Sequence, residues 1–441
     1  MSAEEWKTLL RAQRHNQTIE SAGNEDRTAF QQDFDRIIFC SAFRRLKDKT
    51  QVFPLSHSDY VRTRLTHSLE TSSVGRSLGT YVGRHIIQRH QLQDVEASDF
   101  GAIVAAACLA HDIGNPPFGH AGEDAIRQWC QQSALLKKLD DSERADLENF
   151  EGNAQGFRII TKLQGRQKSG LELTHAVLGT FMKYPRASLI AENLSGASAK
   201  KFGFFKAESA IFNGIAKNLS LKKRAENAYF RHPLAFLVEV ADDICYLIVD
   251  LEDAARLGFV SYDNAEHFLM AFLIHNQTWQ QRFKHLKDAQ SRLEYLRAKA
   301  IGELIDCAVD AFLENEAAIL SGAFDQNLLE VCRLSAAVKT LKEFALEHIY
   351  NAPPALEIEI AGFQVIGALL DLYSAAMEDN STPREKMIRH LFPPQFLEEH
   401  RKPNDSPYLR LLSVVDFVSG MTDSYAVSLY RKLTGVGILS A

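Results

Sequence analysis

Between residues 109 and 123 the sequence reads LAHDIGNPPFGHAGE, in which His111, Asp112, His120 and Glu123 surround Gly114, Asn115, Pro116 and Pro117. The stretch directly follows the apolar run GAIVAAACLA. Neighbouring side chains on a helix diverge by about 100°. His111 and Asp112 can therefore serve one centre only near a helix end, and the Gly-Asn-Pro-Pro breaker supplies that end. A neutral imidazole beside a carboxylate is a donor set suited to borderline divalent ions such as Mn, Fe or Zn. Past the turn, His120 and Glu123 stand at i and i+3 at the expected start of the next helix. At that spacing a carboxylate orients an imidazole and stabilises its charge.

A metal needs more donors than two. Upstream, VRTRLTHSLETSS places His67 on a predicted helix, with Arg64 one turn before it and Glu70 one turn after. Downstream lies HPLAFLVEVADDICYLIVDLEDA, the most informative helix of the chain. With Asp242 as the origin and a step of about 100° per residue, Asp253, Tyr246, Glu239, Asp250 and Asp243 fall at roughly 20°, 40°, 60°, 80° and 100°. The rest of the circumference is apolar, which is too wide an arc for an ordinary surface helix. The stripe is expected to line a polar cavity in the interior, where acids need a cation to neutralise them.

The elements that position these residues read as helix almost throughout. Three-to-four-residue apolar spacing runs over 26–47, 61–92, 98–112, 143–164, 231–257, 263–276, 279–318, 326–349 and 407–434. The fold class is all-α. One β signal, the alternation in ALEIEIAGFQVI at 355–366, predicts a small hairpin around Ala361-Gly362. Breakers cluster at 114–119, 164–170, 351–354 and 393–405. The expected organisation is an N-terminal helical segment 1–60 that contributes to the site, a catalytic core 61–260, and a C-terminal helical region 261–441 packed on that core as one integrated domain.

Of the 441 residues, 46% are apolar and 24% charged, enough for a large core. The net charge of −6 gives no global argument for nucleic acid or membrane. Six scattered cysteines without a CxxC pair read as reduced core thiols, and the N-terminus carries no apolar signal region, so a soluble cytoplasmic protein is expected. The segment 198–224 is locally basic with interleaved phenylalanines, read foremost as a solvated face plus core aromatics.

The order His67, His111-Asp112, Asp242 resembles the HD-domain superfamily of metal-dependent phosphohydrolases. Around those residues, DRIIFCSAFRRLKDKTQVFPL, VRTRLTHSLE, AHDIGNPPFGHAGE, FEGNAQGFRI, FMKYP, HPLAFLVEVADDICYLIVDLEDA and FVSGMTDSYAVSLYRKLTG resemble the bacterial deoxyguanosinetriphosphate triphosphohydrolase (dGTPase)-like family, from about residue 26 to 436. The resemblance implies that His67, His111, Asp112 and Asp242 hold a divalent ion, Mn or Mg, with Fe, Zn, Co or Ni as alternatives. It implies hydrolysis of a dNTP (dGTP or several dNTPs) to deoxynucleoside and triphosphate, with His120 and Glu123 as the catalytic acid dyad. Gln51 matches a base-reading position. Arg64, Lys183 and Asn153 match phosphate-side positions, and Tyr184 accompanies Lys183 in the same block. Tyr246 and Asp250 match residues that contact the deoxyribose. Where the vertebrate dNTPase carries a phosphate-binding lysine this chain has Asp243, so other cations must hold the triphosphate, and the basic segment 198–224 is the source considered. Family members assemble as oligomers, a hexamer being favoured, and single-stranded DNA or an allosteric nucleotide are the further partners implied; no membrane partner is. The rival expectations are an HD-type nucleotide phosphomonoesterase or phosphodiesterase, and a single-stranded nucleic-acid-binding regulator with a weakly active HD site.

Overall fold

The apolar run ahead of the turn becomes the centre of the molecule. Helix Ala97–Ala110 is buried from Phe100 to Ala110 with only Ala102 half-buried. The long helix Arg64–His90 runs past it in the opposite direction, with Gly75 against Cys108 and Gly83 against Phe100. The approach is close: a methyl group at Gly79 would lie 2.6 Å from the Phe100 carbonyl oxygen. Helix Ala235–Arg256 packs across both, and the 33-residue helix Ala289–Ser321 closes over it. This arrangement brings residues 67, 111 and 242 into one neighbourhood.

The computed structural model describes residues 3–16, 27–51, 62–165, 169–274, 278–350, 353–378, 382–397 and 406–436. Parts of three expected breaker segments, 166–168, 351–352 and 398–405, lie outside them. The protein is mainly helical, as its sequence predicts, and one small antiparallel hairpin is present. That hairpin pairs Lys223–Ala225 with Ala228–Tyr229. The expected hairpin at 355–366 is instead part of helix Pro353–Met377. The alternation of Leu356, Ile358 and Ile360 is too short to decide the conformation. Further along, Ile366, Leu369, Leu370 and Tyr373 are buried at helical spacing. Over this length the helical period governs, because it is the one that finds a core.

That core is shared along the chain. Phe118, Ile126, Leu147 and Phe150 form one apolar cluster with Ile366, Leu369, Tyr373, Leu412 and Phe417. Leu356–Met377 is long and apolar enough to cross a membrane, but half of its apolar window is buried against the rest of the protein. All six cysteines are free and buried. In the basic segment, Phe202, Phe204, Phe205 and Phe212 are core residues, as the simpler reading expected.

Candidate active site

Each ligand-type side chain comes from a helix end or a helix face turned inward. His111 caps helix Ala97–Ala110, and its Nδ1 lies 2.6 Å from the Cys108 carbonyl oxygen. A carbonyl only accepts, so Nδ1 carries the proton and Nε2 keeps its lone pair in the neutral ring. This Nε2 is buried and has no hydrogen-bond partner. It sits 3.4 Å from Asp112 Oδ1 and 3.5 Å from Asp242 Oδ1. His67 Nε2 approaches the same Asp242 Oδ1 at 3.1 Å. Ligand atoms of His67, His111 and Asp112 all lie within 4.8 Å of one another. An orphaned imidazole lone pair facing two carboxylates fits a divalent cation, and the mixed N/O donor set is of the borderline type.

The surroundings keep both carboxylates ionised. Burial pushes Asp112 up, but Arg64 and the two histidines outweigh it and hold the carboxyl at about 2. Burial pushes Asp242 up as well, yet His111, the bond to His67 and Lys183 hold it well below the usual carboxylate range. Arg64 lines the site with its Nη1 2.8 Å from Asp112 Oδ2, while its buried Nε has no partner. Lys183 is half-buried, and its pKa is raised against desolvation, chiefly by Glu239, whose Oε1 is 3.5 Å away. Arg231 shares Glu239 through a 2.8 Å bond.

Beyond the Pro-Pro turn, Phe118 takes a left-handed conformation (φ 63°) and aims the first turn of helix Gly119–Gln132 back towards these donors. The His120 side chain is 80% exposed to the cavity side, whereas that of Glu123 is 2% exposed. His120 Nδ1 lies 2.9 Å from Glu123 Oε2, and Glu123 Oε1 accepts the Gly152 amide at 2.6 Å. Burial alone would raise Glu123; the bond to His120, Lys201 and the Gly152 amide bring it down to about 2. An ionised Glu123 fixes the proton on His120 Nδ1 and leaves Nε2 for the cavity.

A cavity of about 460 Å³ joins these groups. Gln51, Arg64, His111, Asp112, His120, Glu123, Asn153, Lys183, Tyr184, Asp242 and Tyr246 all line it. His67 is buried at 2% exposure behind Asp242. Asp250 is not on the wall: Tyr350 covers it, stacking on Tyr246 with ring centroids 4.7 Å apart and donating its hydroxyl to Asp250 Oδ2 at 3.1 Å. Glu239, Asp243 and Tyr246, members of the acidic stripe, do face the cavity. Asp243 accepts a hydrogen bond from Asn327 Nδ2 at 2.9 Å and is paired with Lys342 Nζ at 3.0 Å. From the basic segment, Lys201 reaches the cavity. Lys206 turns to Asp140 and Glu143, and Arg224 to Asp325. Sequence reasoning missed Tyr350, Lys342, Asn327 and Glu359, which lie outside any motif and reach the cavity or its acids only through the fold.

The family model described as HD domain matches residues 64–244, and that described as phosphohydrolase-associated domain matches 332–432. A deoxyguanosinetriphosphate triphosphohydrolase-like protein of Synechocystis sp. is 44% identical, covering 98% of this chain and 100% of its own length. One of the same description from Pseudomonas aeruginosa is 42% identical over 98% of this chain and 99% of its own. The deoxyguanosinetriphosphate triphosphohydrolase of Yersinia enterocolitica is 31% identical with the same two shares.

Proposed function

We propose, from the premise that the chain belongs to the deoxyguanosinetriphosphate triphosphohydrolase-like family of HD-domain hydrolases, that it is a metal-dependent dNTP triphosphohydrolase. The observation that carries the reading is that His111, Asp112, Asp242 and the pair His120–Glu123 line one cavity, with His67 buried directly behind Asp242. Its volume of about 460 Å³ lies within the range of small-molecule sites, roughly 300–1,000 Å³.

The four donors would hold a divalent ion, Mn or Mg foremost. When bound, such an ion supplies Lewis acidity at a phosphoryl oxygen and lowers the pKa of water beside it. The chain's own residues do the rest. Lys183, Lys201 and Arg64, which line the cavity with Asn153, would face the triphosphate and supply the positive charge that Asp243 cannot. Water adds to the α-phosphorus as the bond to the 5′-oxygen breaks. In its imidazolium form His120 would donate its Nε2 proton to that oxygen, the proton given up by the attacking water would pass to solvent, and Glu123 stabilises the ring through Nδ1. The products are deoxynucleoside and intact triphosphate. Tyr246 and Tyr350 form the aromatic wall on which the sugar would rest, with Asp250 behind it holding the Tyr350 hydroxyl, and the Gln51 amide would face the base. Assembly as a homo-oligomer, with a hexamer favoured, and activation by a second nucleotide or single-stranded DNA belong to this reading too.

The test is product analysis with each dNTP, singly and as a mixture, in Mn or Mg. Tripolyphosphate and deoxynucleoside released together in one step are expected. Orthophosphate or pyrophosphate as the first product would overturn the reading in favour of an HD phosphomonoesterase or phosphodiesterase.

A further inference from the structure

The block FVSGMTDSYAVSLYRKLTG has no residue in the chemistry described so far. Its centre is Asp423, the first residue of helix Asp423–Thr434, and only 2% of it is exposed. The two oxygens of this carboxylate point to different arms of the active site. Oδ2 accepts the Thr50 amide at 2.9 Å and the Thr50 hydroxyl at 2.7 Å, immediately before Gln51. Oδ1 accepts the Phe118 amide at 3.0 Å. Phe118 is the left-handed hinge from which Gly119 and His120 emerge.

We infer that Asp423 is a positioning residue for the reaction: one carboxylate from the C-terminal helix pair sets both where the Gln51 amide meets the base and where His120 presents its proton. Four further contacts on the same segments support it. Lys49 Nζ donates to the Asn115 carbonyl in the turn and to the Ser419 carbonyl at 3.0 Å. The Lys49 carbonyl in turn accepts the Arg64 amide at 3.0 Å, which ties this arm to the histidine helix. On its other side the Phe118 ring packs against helix Pro353–Met377, where a methyl group at Gly362 would lie 2.9 Å from it. A non-glycine residue with positive φ persists only where its surroundings over-determine it, and the Asp423 bond is the polar part of that restraint.

The inference rests on the triphosphohydrolase reading for its kinetic consequences but not for its geometry, so the experiment reads both. Asp423→Asn replaces one acceptor by an NH2 group that must face an N–H donor, so one arm loses its anchor. The kcat/KM values of the four dNTPs are expected to converge by about tenfold or more, and kcat to fall by a similar factor on the best substrate, at temperatures where the variant is folded. Hydrogen exchange should speed up in peptides spanning Thr50 and Phe118. Asp423→Glu keeps the charge and should recover part of both effects. Ser424→Ala removes a neighbouring bond from the same helix to Asp48, 2.9 Å long, and should keep wild-type kinetics. If Asp423→Asn lowers the melting temperature while leaving dNTP ratios, kcat and exchange at both amides unchanged, Asp423 is structural only. If the wild type releases no triphosphate, the function reading fails, and the exchange data alone still decide whether Asp423 anchors the two arms.

Discussion

Glu123 and Asp250 are both 2% exposed, and their surroundings drive them in opposite directions. Glu123 is held at about 2 against burial by His120, Lys201 and a backbone amide, so it stays ionised across the working range. Asp250 is pushed up to about 7 by burial and by neighbouring Asp253, against His67, Tyr350 and Arg62. Two carboxylates with separated pKa values mark separate tasks. For the acid pair, His120→Ala is expected to lower kcat by about 10²–10³-fold with little change in KM, as for loss of a general acid. Glu123→Gln should lose less and shift the pH profile of what remains. The measurement is steady-state release of triphosphate from pH 6 to 9; equal kcat in His120→Ala and wild type would remove His120 from the chemistry. For Asp250 the sign follows from linkage. Its folded pKa of about 7 stands above the ordinary aspartate value of 3.8, so between those values the folded protein holds a proton that the unfolded chain releases. Metal-free protein should therefore lose stability as pH rises from about 4 to 7, with Asp250 contributing on the order of 2–4 kcal/mol. Asp250→Asn, which cannot ionise but keeps one oxygen to accept the Tyr350 hydroxyl, should flatten that slope in denaturant titrations. A slope unchanged by the substitution would show that Asp250 is ionised throughout.

At the scale of elements, what could be read ahead was what a single segment encodes. The turn after Asp112 was legible because its breakers are local. The structure adds why Gly114 is needed there: a methyl group at Gly114 would lie 2.1 Å from both the Gly152 carbonyl and the Gly156 amide, so the turn presses directly on helix Gly152–Arg158. The acidic stripe was legible too, because an amphipathic period within helix Ala235–Arg256 fixes which residues share a face before any partner is known. The misread hairpin at 355–366 fails for the converse reason. Its alternation spans a few residues, and the choice of helix rests on packing of Ile366, Leu369 and Tyr373 against residues from elsewhere in the chain. Tyr350 and Asp423 carry no local signal either. Tyr350 meets Asp250 across 100 residues, and Asp423 meets Thr50 across 373 and Phe118 across 305. Their roles exist only once the C-terminal helices have docked. The π-helical turn Leu346–Tyr350, which delivers Tyr350, is the kind of irregularity that clusters at functional sites.

Considered as a whole, the molecule gathers its donors from three helices that are distant in sequence; His67 and Asp242 alone are separated by 175 residues. Each helix is held in place by apolar packing. Yet Asp112 and Asp242 converge on a buried imidazole nitrogen that has no hydrogen-bond partner, and a cation relieves that arrangement only in the folded state. Selective binding to the folded protein stabilises it by RT ln(1 + [L]/Kd), about 2.7 kcal/mol at a hundredfold excess over Kd. For a chain of this size that corresponds to a rise in melting temperature of roughly 2–6 °C. Adding Mn to chelator-treated protein should thus raise the melting temperature saturably, and EDTA should reverse the change. The gain should vanish in His111→Ala and Asp242→Asn, since each removes a donor from the cluster. The readout needs no substrate and so stands apart from any question of which dNTP is preferred. A saturable shift of equal size in His111→Ala would place the ion elsewhere on the protein and detach the HD cluster from metal binding.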